Sequence, residues 1–271
     1  MNTTTLSHRA ASRTRGSYGF RAVAQMEWQK LRTVRSTWSI VAIFAAGMIG
    51  LAMLVLSHEN YAQMSVADRA SFDPTKDAFL GLVLGQLLLG VLGVLAITTE
   101  FSSGMIRATF AAAPRRPLVL AAKAAVLGAV TLAAGEISAF AAFLAGQAML
   151  KAPAPHATLG QPGVLRAVAM AGAYPALIAL ISLGIGAIIR HTAGAICALV
   201  GIVFVLPLLF SLSNSLRNTA QKFLPDTMRN SLIAVKPVGH LLSPGLTFGL
   251  LCGYAMAALA AGAWALARRA A

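Results

Sequence analysis

Six apolar runs, each long enough to cross a bilayer, alternate with polar segments along the 271-residue chain. A helix rises about 1.5 Å per residue, so a hydrocarbon core of about 30 Å needs roughly 20 apolar residues. The pattern therefore predicts an all-α integral membrane protein with six transmembrane helices in one domain, residues 20–271. The predicted spans lie at about 38–57, 78–98, 124–149, 167–189, 193–212 and 246–267.

The polar segment before the first span divides into two parts. Residues 1–19 are rich in Ser, Thr and Arg and lack apolar periodicity, so we expect a disordered basic tail. Residues 20–37 have an apolar and a polar helical face, which predicts an interfacial elbow helix lying on the membrane. The charged elbow residues of interest are Glu27, Lys30, Arg32 and Arg35.

Glu27 is the exception on the elbow, because it falls in the middle of the apolar face. A carboxylate in such a position needs a cationic partner. Two interpretations are open. Glu27 pairs locally with Lys30, three residues further along the helix, or it pairs with a basic residue of the segment 97–123.

That segment, between the second and third spans, is short, basic and marked by glycine and proline. Its helical pattern has Gly104 inside and ends at Pro114. Arg107, Arg115 and Arg116 give it a positive charge. Between two membrane helices, it would form a loop carrying a short helix that a partner protein could contact.

The distribution of Lys and Arg predicts the orientation. With six spans, both termini, the 97–123 loop and the turn at Arg190 share one side, which holds 14 of the 22 Lys and Arg residues. Cytoplasmic loops are enriched in these residues, so both termini and the loop are predicted to be cytoplasmic. The net charge of +14 is explained in this way, and no nucleic-acid partner is expected.

Two polar side chains inside the spans are candidates for a translocation path. Gln86 lies beside the small-residue pair Gly81 and Gly85 in the second span, and Glu136 is the only acidic residue inside a span. A carboxylate in hydrocarbon costs a few kcal/mol, so it is either functional or protonated and bonded to a neighbouring helix. The glycine pair predicts close helix packing, within the chain or between subunits.

Motifs of ATP hydrolysis and of hydrolytic or metal catalysis are missing. The dipeptide Gly-Lys does not occur, which excludes the phosphate-binding P-loop, and HExxH, CxxC and GxSxG do not occur either. We therefore predict a non-catalytic chain that binds no cofactor or metal. Any ATP-driven activity would need a partner chain.

The 97–123 segment resembles the coupling loop of permeases of ATP-binding cassette (ABC) exporters of the second export class. In that family E-x-x-x-G begins a cytoplasmic coupling helix, and a P-x-R stretch leads to a Lys at the next span. The elbow EWQKLRTVRSTW and the later stretches RHTAGAI, KFLPD and HLLSP resemble actinobacterial members. The matching positions in the loop are Glu100, Gly104, Thr109, Pro114, Arg115, Arg116 and Lys123.

This resemblance implies the permease subunit of an ATP-driven exporter in a bacterial plasma membrane. Two such chains, identical or paralogous, would pair to form the translocation path, and separate ATPase subunits would bind ATP and Mg²⁺. The ATPase contact would fall in the loop 99–117, and Arg115 and Arg116 could instead bind anionic lipid. The residues assigned to coupling are Glu100, Gly104, Arg107, Pro114, Arg115 and Arg116.

Two other functions stay open on the residues alone. A self-sufficient secondary transporter would show an inverted repeat and several polar residues near mid-membrane. The sequence has no such repeat, and only Gln86 and Glu136 qualify. A small intramembrane enzyme is disfavoured by the missing catalytic motifs.

Overall fold

The structure is a computed structural model that describes residues 19–113, 115–212, 220–235 and 241–268. Within these ranges the chain is helical and contains no strand. The expected tail, 1–19, lies outside the described residues except for Gly19. The α-helices are α1 (Phe20–Thr33), α2 (Arg35–His58), α3 (Val66–Ser71), α4 (Pro74–Asp77), α5 (Leu82–Ser102), α6 (Met105–Ala112), α7 (Arg116–Met149), α8 (Val164–Ile189), α9 (Thr192–Val200), α10 (Leu206–Ser211), α11 (Pro225–Ile233) and α12 (Pro244–Arg268).

Six helical segments of the described chain are long and apolar enough to cross a membrane. They are α2, α5, α7, α8, α12 and the continuous segment Thr192–Ser211, in which a π-helical turn joins α9 to α10. This confirms the predicted number and order of spans and indicates a multi-pass membrane protein. The third span differs most, because α7 begins at Arg116 rather than at 124, with Pro117 in its first turn. Lys123 therefore lies within α7.

Helix α8 is the centre of the bundle and packs against α5, α7 and α12. Glycines bring these helices close together. Gly93 of α5 lies on the backbone of Ala179 in α8, and Gly135 of α7 lies on the backbone of Gly172 in α8. A Cβ atom at Gly93 or Gly135 would overlap a carbonyl oxygen of α8. Small residues of this kind allow close helix association in membranes.

The pair Gly81 and Gly85 packs within the chain. A Cβ at Gly81 would lie 2.9 Å from the Cα of Met48 in α2, and one at Gly85 would lie 2.7 Å from the ring of Phe44. These glycines therefore form part of the contact between α2 and the start of α5. The intramolecular alternative is the one that the structure supports.

The N-terminal helix is shorter than predicted. Helix α1 ends at Thr33, and Val34 is extended, whereas the sequence pattern predicted one helix over 20–37. The Thr33 hydroxyl donates to the carbonyl oxygens of Gln29 and Lys30, which satisfies acceptors at the helix end. The indole of Trp38 in α2 donates to the Arg32 carbonyl across the break, 3.2 Å. This bond ties the two helices together at the corner.

We predict that Gly93→Ala destabilises the protein, because the added methyl would overlap the Ala179 carbonyl and force α5 away from α8. Overpacking of this kind costs about 1–3 kcal/mol, which corresponds to a fall of roughly 5 °C in the unfolding midpoint. The measurement is thermal unfolding of the detergent-solubilised protein. In the control, Gly50→Ala, the new Cβ meets no atom within 4 Å, so the midpoint should stay equal or rise. Equal midpoints for the two variants would contradict the close approach.

Candidate functional site

The 97–123 segment contains a short exposed helix, α6, with a turn on each side. Helix α5 continues to Ser102, and α6 begins at Met105. Gly104 lies between them with a φ of +72°, a left-handed conformation that favours glycine. The prediction of one helix with Gly104 inside it is therefore wrong, since the glycine separates two helices. Gly104 is exposed, and a Cβ there would meet no atom within 4 Å.

Helix α6 has a buried face and an open face. Ile106, Thr109 and Phe110 are buried against the bundle, while Met105 and Arg107 are exposed. The guanidinium of Arg116 at the start of α7 lies 5.1 Å from the centre of the Phe110 ring. The helix is thus fixed to the protein on one side and offers an apolar and a cationic side chain on the other.

Four charged side chains bond to one another behind α6, and we refer to Glu27, Lys30, Glu100 and Lys123 as the charge cluster. Lys123 Nζ donates to Glu100 Oε1, 2.7 Å, and to Glu27 Oε2. Lys30 Nζ donates to Glu27 Oε1, 2.8 Å, and to Glu100 Oε1, 3.0 Å. Each carboxylate therefore bonds to both ammonium groups. Lys30 also donates to the Thr109 hydroxyl of α6, 3.2 Å, so the cluster joins α1, α5, α6 and α7.

The charge cluster is almost closed to solvent. Glu27 is 1% exposed, Glu100 2% and Lys123 4%, and only the Lys30 side chain, at 23%, is more open. Burial lowers the pKa of Lys30, but its bonds to Glu27 and Glu100 outweigh burial and raise the pKa above its usual value. The bonds of Lys30 therefore contribute to the free energy of unfolding. This contribution is fully present below the ordinary lysine pKa and is lost only as the pH rises through the raised pKa of Lys30. Lys30 is charged at neutral pH.

Glu27 makes both of the ion pairs that the sequence left open. It pairs locally with Lys30 and also with Lys123 from the end of the 97–123 segment. Glu100 shares the same two partners, which its position in the sequence alone did not reveal. Arg32 and Arg35, the other elbow residues, are exposed and lie outside the cluster.

The basic residues of the loop differ in their exposure to solvent. Arg107 and Arg115 are exposed. Arg116 is partly buried and donates to the Leu266 carbonyl of α12, 2.9 Å, in addition to covering Phe110. The guanidinium of Arg116 therefore makes contacts that stabilise the fold of the chain itself. Pro114 lies outside the described residues.

A second set of contacts ties the end of α5 to the turn between α8 and α9. The Arg190 guanidinium lies 5.1 Å from the centre of the Phe101 ring and donates to the Ala265 carbonyl of α12, 3.1 Å. The Thr192 hydroxyl donates to the Thr98 hydroxyl, 3.0 Å. Sequence reasoning assigned Arg190 only to a basic turn and missed this role.

The two polar span residues have different surroundings. Gln86 is fully buried and accepts a bond from the Tyr174 hydroxyl, which also donates to the Pro225 carbonyl, 3.1 Å. The Tyr174 hydroxyl thus connects α8 with α5 and with α11. Glu136 is partly exposed on α7 and lies over Gly172, and it has no hydrogen-bond or ion-pair partner among the described residues.

Within the described ranges, no group of three or more His, Cys, Asp or Glu side chains is placed to hold a metal ion. No protein-family model matches the sequence, and no match to a curated protein was found. The charge cluster and the exposed helix α6 beside it are therefore the candidate site on structural grounds alone.

We predict that Lys123→Met strongly destabilises the protein, because it leaves two buried carboxylates with Lys30 as their only shared cation. Removing one partner from a buried ion pair costs about 3–5 kcal/mol, or roughly 10 °C in the unfolding midpoint. The measurement is thermal unfolding in detergent at pH 7. The matched control is Lys76→Met, at an exposed lysine, which should change the midpoint little.

The double variant Glu27→Gln with Lys123→Met restores a one-to-one charge balance in the cluster. It should be more stable than the sum of the two single changes implies, because the two residues bond to each other. Additive changes, or a Lys123→Met midpoint equal to that of the Lys76→Met control, would contradict the cluster as a source of stability.

Proposed function

We propose that this chain is the permease subunit of an ATP-driven ABC exporter and that α6 is the helix that contacts a separate ATPase subunit. The observation that carries the proposal is an exposed helix whose anchoring side joins α1, α5 and α7 through one buried charge cluster. A force on α6 would reach the second and third spans through the Thr109, Lys30, Glu100 and Lys123 bonds. A loop that only connected two spans would not need this anchoring.

The open face of α6 suits a protein partner. Met105 supplies an apolar contact, and Arg107 supplies a guanidinium for a charge-assisted bond to an acidic group. Arg115 is exposed beside them and extends the positive charge. The left-handed Gly104 sets the angle between α5 and α6 and leaves the space in front of the turn open.

The proposed orientation follows from the charge distribution. Both termini and α6 lie in the cytoplasm, and α1 lies on the inner membrane surface as an elbow. Two copies of the chain, or one copy and a paralogue, pair in the plasma membrane to form the path. ATPase closure then tilts α6 together with α5 and α7 and switches access from one side to the other.

Arg107→Glu should weaken binding of the proposed ATPase partner chain. A charge-assisted hydrogen bond contributes about 1.5–3 kcal/mol, so reversal of the charge should lower affinity by about tenfold or more. The measurement is co-purification from co-expressing cells, together with ATP hydrolysis by the complex in vesicles. Arg107 is exposed and has no part in the charge cluster, so the permease itself should keep its unfolding midpoint.

The matched control is Lys151→Glu, which reverses an exposed charge at the opposite end of the bundle. It should leave both co-purification and ATP hydrolysis unchanged. The coupling role of α6 would be contradicted if Arg107→Glu behaved like this control. Transport without any ATPase chain would instead favour a self-sufficient secondary transporter.

Cysteine labelling tests the orientation separately from the ATPase contact. In a chain with Cys197→Ala and Cys252→Ala, we expect a membrane-impermeant maleimide to label Thr158→Cys on intact cells. Ala108→Cys, on the open face of α6, should be labelled only after the membrane is permeabilised. Labelling of Ala108→Cys from outside would contradict the cytoplasmic placement of α6.

A further inference from the structure

A cavity of about 110 Å³ lies at the corner of α1 and α2, where it borders the charge cluster. Residues of both helices and of the last turns of α5 line it, and its apolar walls include Leu31, Val34 and Leu95. Helix α2 is long and apolar enough to span a membrane, and the cavity lies at its first turn. The ends of spanning helices lie at headgroup depth, so the cavity lies at the depth of lipid headgroups.

The first turn of α2 has backbone donors without acceptors. No side chain caps the helix, and its N-cap residue, Val34, has an apolar side chain. The backbone N–H groups of Arg35 and Ser36 bond to no carbonyl oxygen within the described residues. Unpaired N–H groups at a helix start, together with the positive end of the helix dipole, attract an anion.

Two hydroxyl groups lie beside this helix start. Ser36 and Thr37 both line the cavity. The Thr37 side chain belongs to a residue that is only 3% exposed, and its hydroxyl makes no hydrogen bond within the described residues. Unlike Glu100 Oε2, this hydroxyl is not closed to solvent, so a molecule in the cavity can contact it. A hydroxyl turns its hydrogen toward an acceptor, so Ser36 and Thr37 add two donors to those of the backbone.

The charges around the cavity favour an anion. All four members of the charge cluster line it, but their two carboxylates and two ammonium groups cancel, and Lys30 is the member most open to solvent. Arg32 in the last turn of α1 and Arg35 in the first turn of α2 are exposed at the same corner. Glu27 is the only acidic residue of the chain before Glu59. The corner therefore has a net positive charge.

We propose that this cavity binds the phosphate group of an anionic phospholipid such as phosphatidylglycerol. The phosphate oxygens accept from the free N–H groups at the start of α2 and from the hydroxyls of Ser36 and Thr37, while the acyl chains follow Leu95 along α5. A zwitterionic lipid offers the same oxygens, but Arg32 and Arg35 repel the cation of its headgroup. The proposal involves neither an ATPase nor transport and therefore goes beyond the proposed function.

The test is lipid retention by the full-length purified protein. The protein is placed in nanodiscs that contain phosphatidylglycerol and phosphatidylcholine in equal amounts. After extraction into mild detergent, the lipids that remain bound are quantified by mass spectrometry. A chain with a net charge of +14 attracts anionic lipid over its whole surface, so the decisive quantity is the change in phosphatidylglycerol enrichment between variants of equal charge.

The double variant Ser36→Ala with Thr37→Val removes both hydroxyl groups and leaves every charge in place. Loss of two hydrogen bonds to a charged group should lower the enrichment about tenfold. Ala96→Phe, which fills the cavity from α5, should lower it as far, again without a change of charge. The matched control is Ser39→Ala, at an exposed serine of α2 that does not line the cavity, and it should retain the full enrichment.

Full enrichment in both the double variant and Ala96→Phe would show that the basic surface attracts the lipid diffusely, and it would overturn the proposal. A separate arm adds inorganic phosphate at millimolar concentration to protein in phosphatidylcholine nanodiscs. If free phosphate raised the unfolding midpoint as much as phosphatidylglycerol does, the ligand would be a soluble phosphate and the lipid assignment would fall. No effect of free phosphate, together with lost enrichment in the variants, supports the lipid phosphate.

Discussion

The interaction on which this end of the molecule depends is the buried charge cluster of two glutamates and two lysines. Taking four charges out of water costs several kcal/mol for each ion, and their attraction repays this only when the geometry is good. Here each carboxylate bonds to both ammonium groups, so the charges balance and only Glu100 Oε2 lacks a donor. Loss of any one member would leave the cluster with one buried charge in excess. The positions of α1, α5 and α7 are therefore coupled to one another.

The rest of the bundle is held by a different kind of contact. Around α8 the helices approach through glycines, as at Gly93 and Gly135, and polar bonds such as that of Tyr174 to Gln86 lie between them. Lipid chains are as apolar as leucine side chains, so close packing rather than apolar burial favours helix association there. The charge cluster adds to this packing a requirement for direction, because its bonds need specific atoms of α1 and α6 to meet.

The hydrophobic pattern was sufficient to predict the six spans, because length and apolar content decide whether a helix can cross a membrane. Local structure and side-chain pairing were harder to predict from the sequence. Gly104 fitted a helical pattern, but its left-handed conformation depends on the turn that returns the chain to the bundle. Glu27 was recognisable as an anomaly, since an acid on an apolar face needs a partner. Its pairing with Lys123 depends on α7 starting at Arg116, which brings Lys123 inside the helix and next to α1. Contacts that join distant segments have no local signal.

The charge cluster also connects the helix α6 to two of the spanning helices. Lys30 bonds to Glu100 of α5 and to Thr109 of α6, and Glu100 also accepts from Lys123 of α7. A displacement of α6 would move the Thr109 hydroxyl away from Lys30 and change the position of that ammonium group relative to both carboxylates. Because Lys30 and Lys123 share the same two carboxylates, a shift of one ammonium group changes the electrostatic environment of the other. The position of α6 is thus linked to the positions of α5 and α7 through side chains that are buried between them.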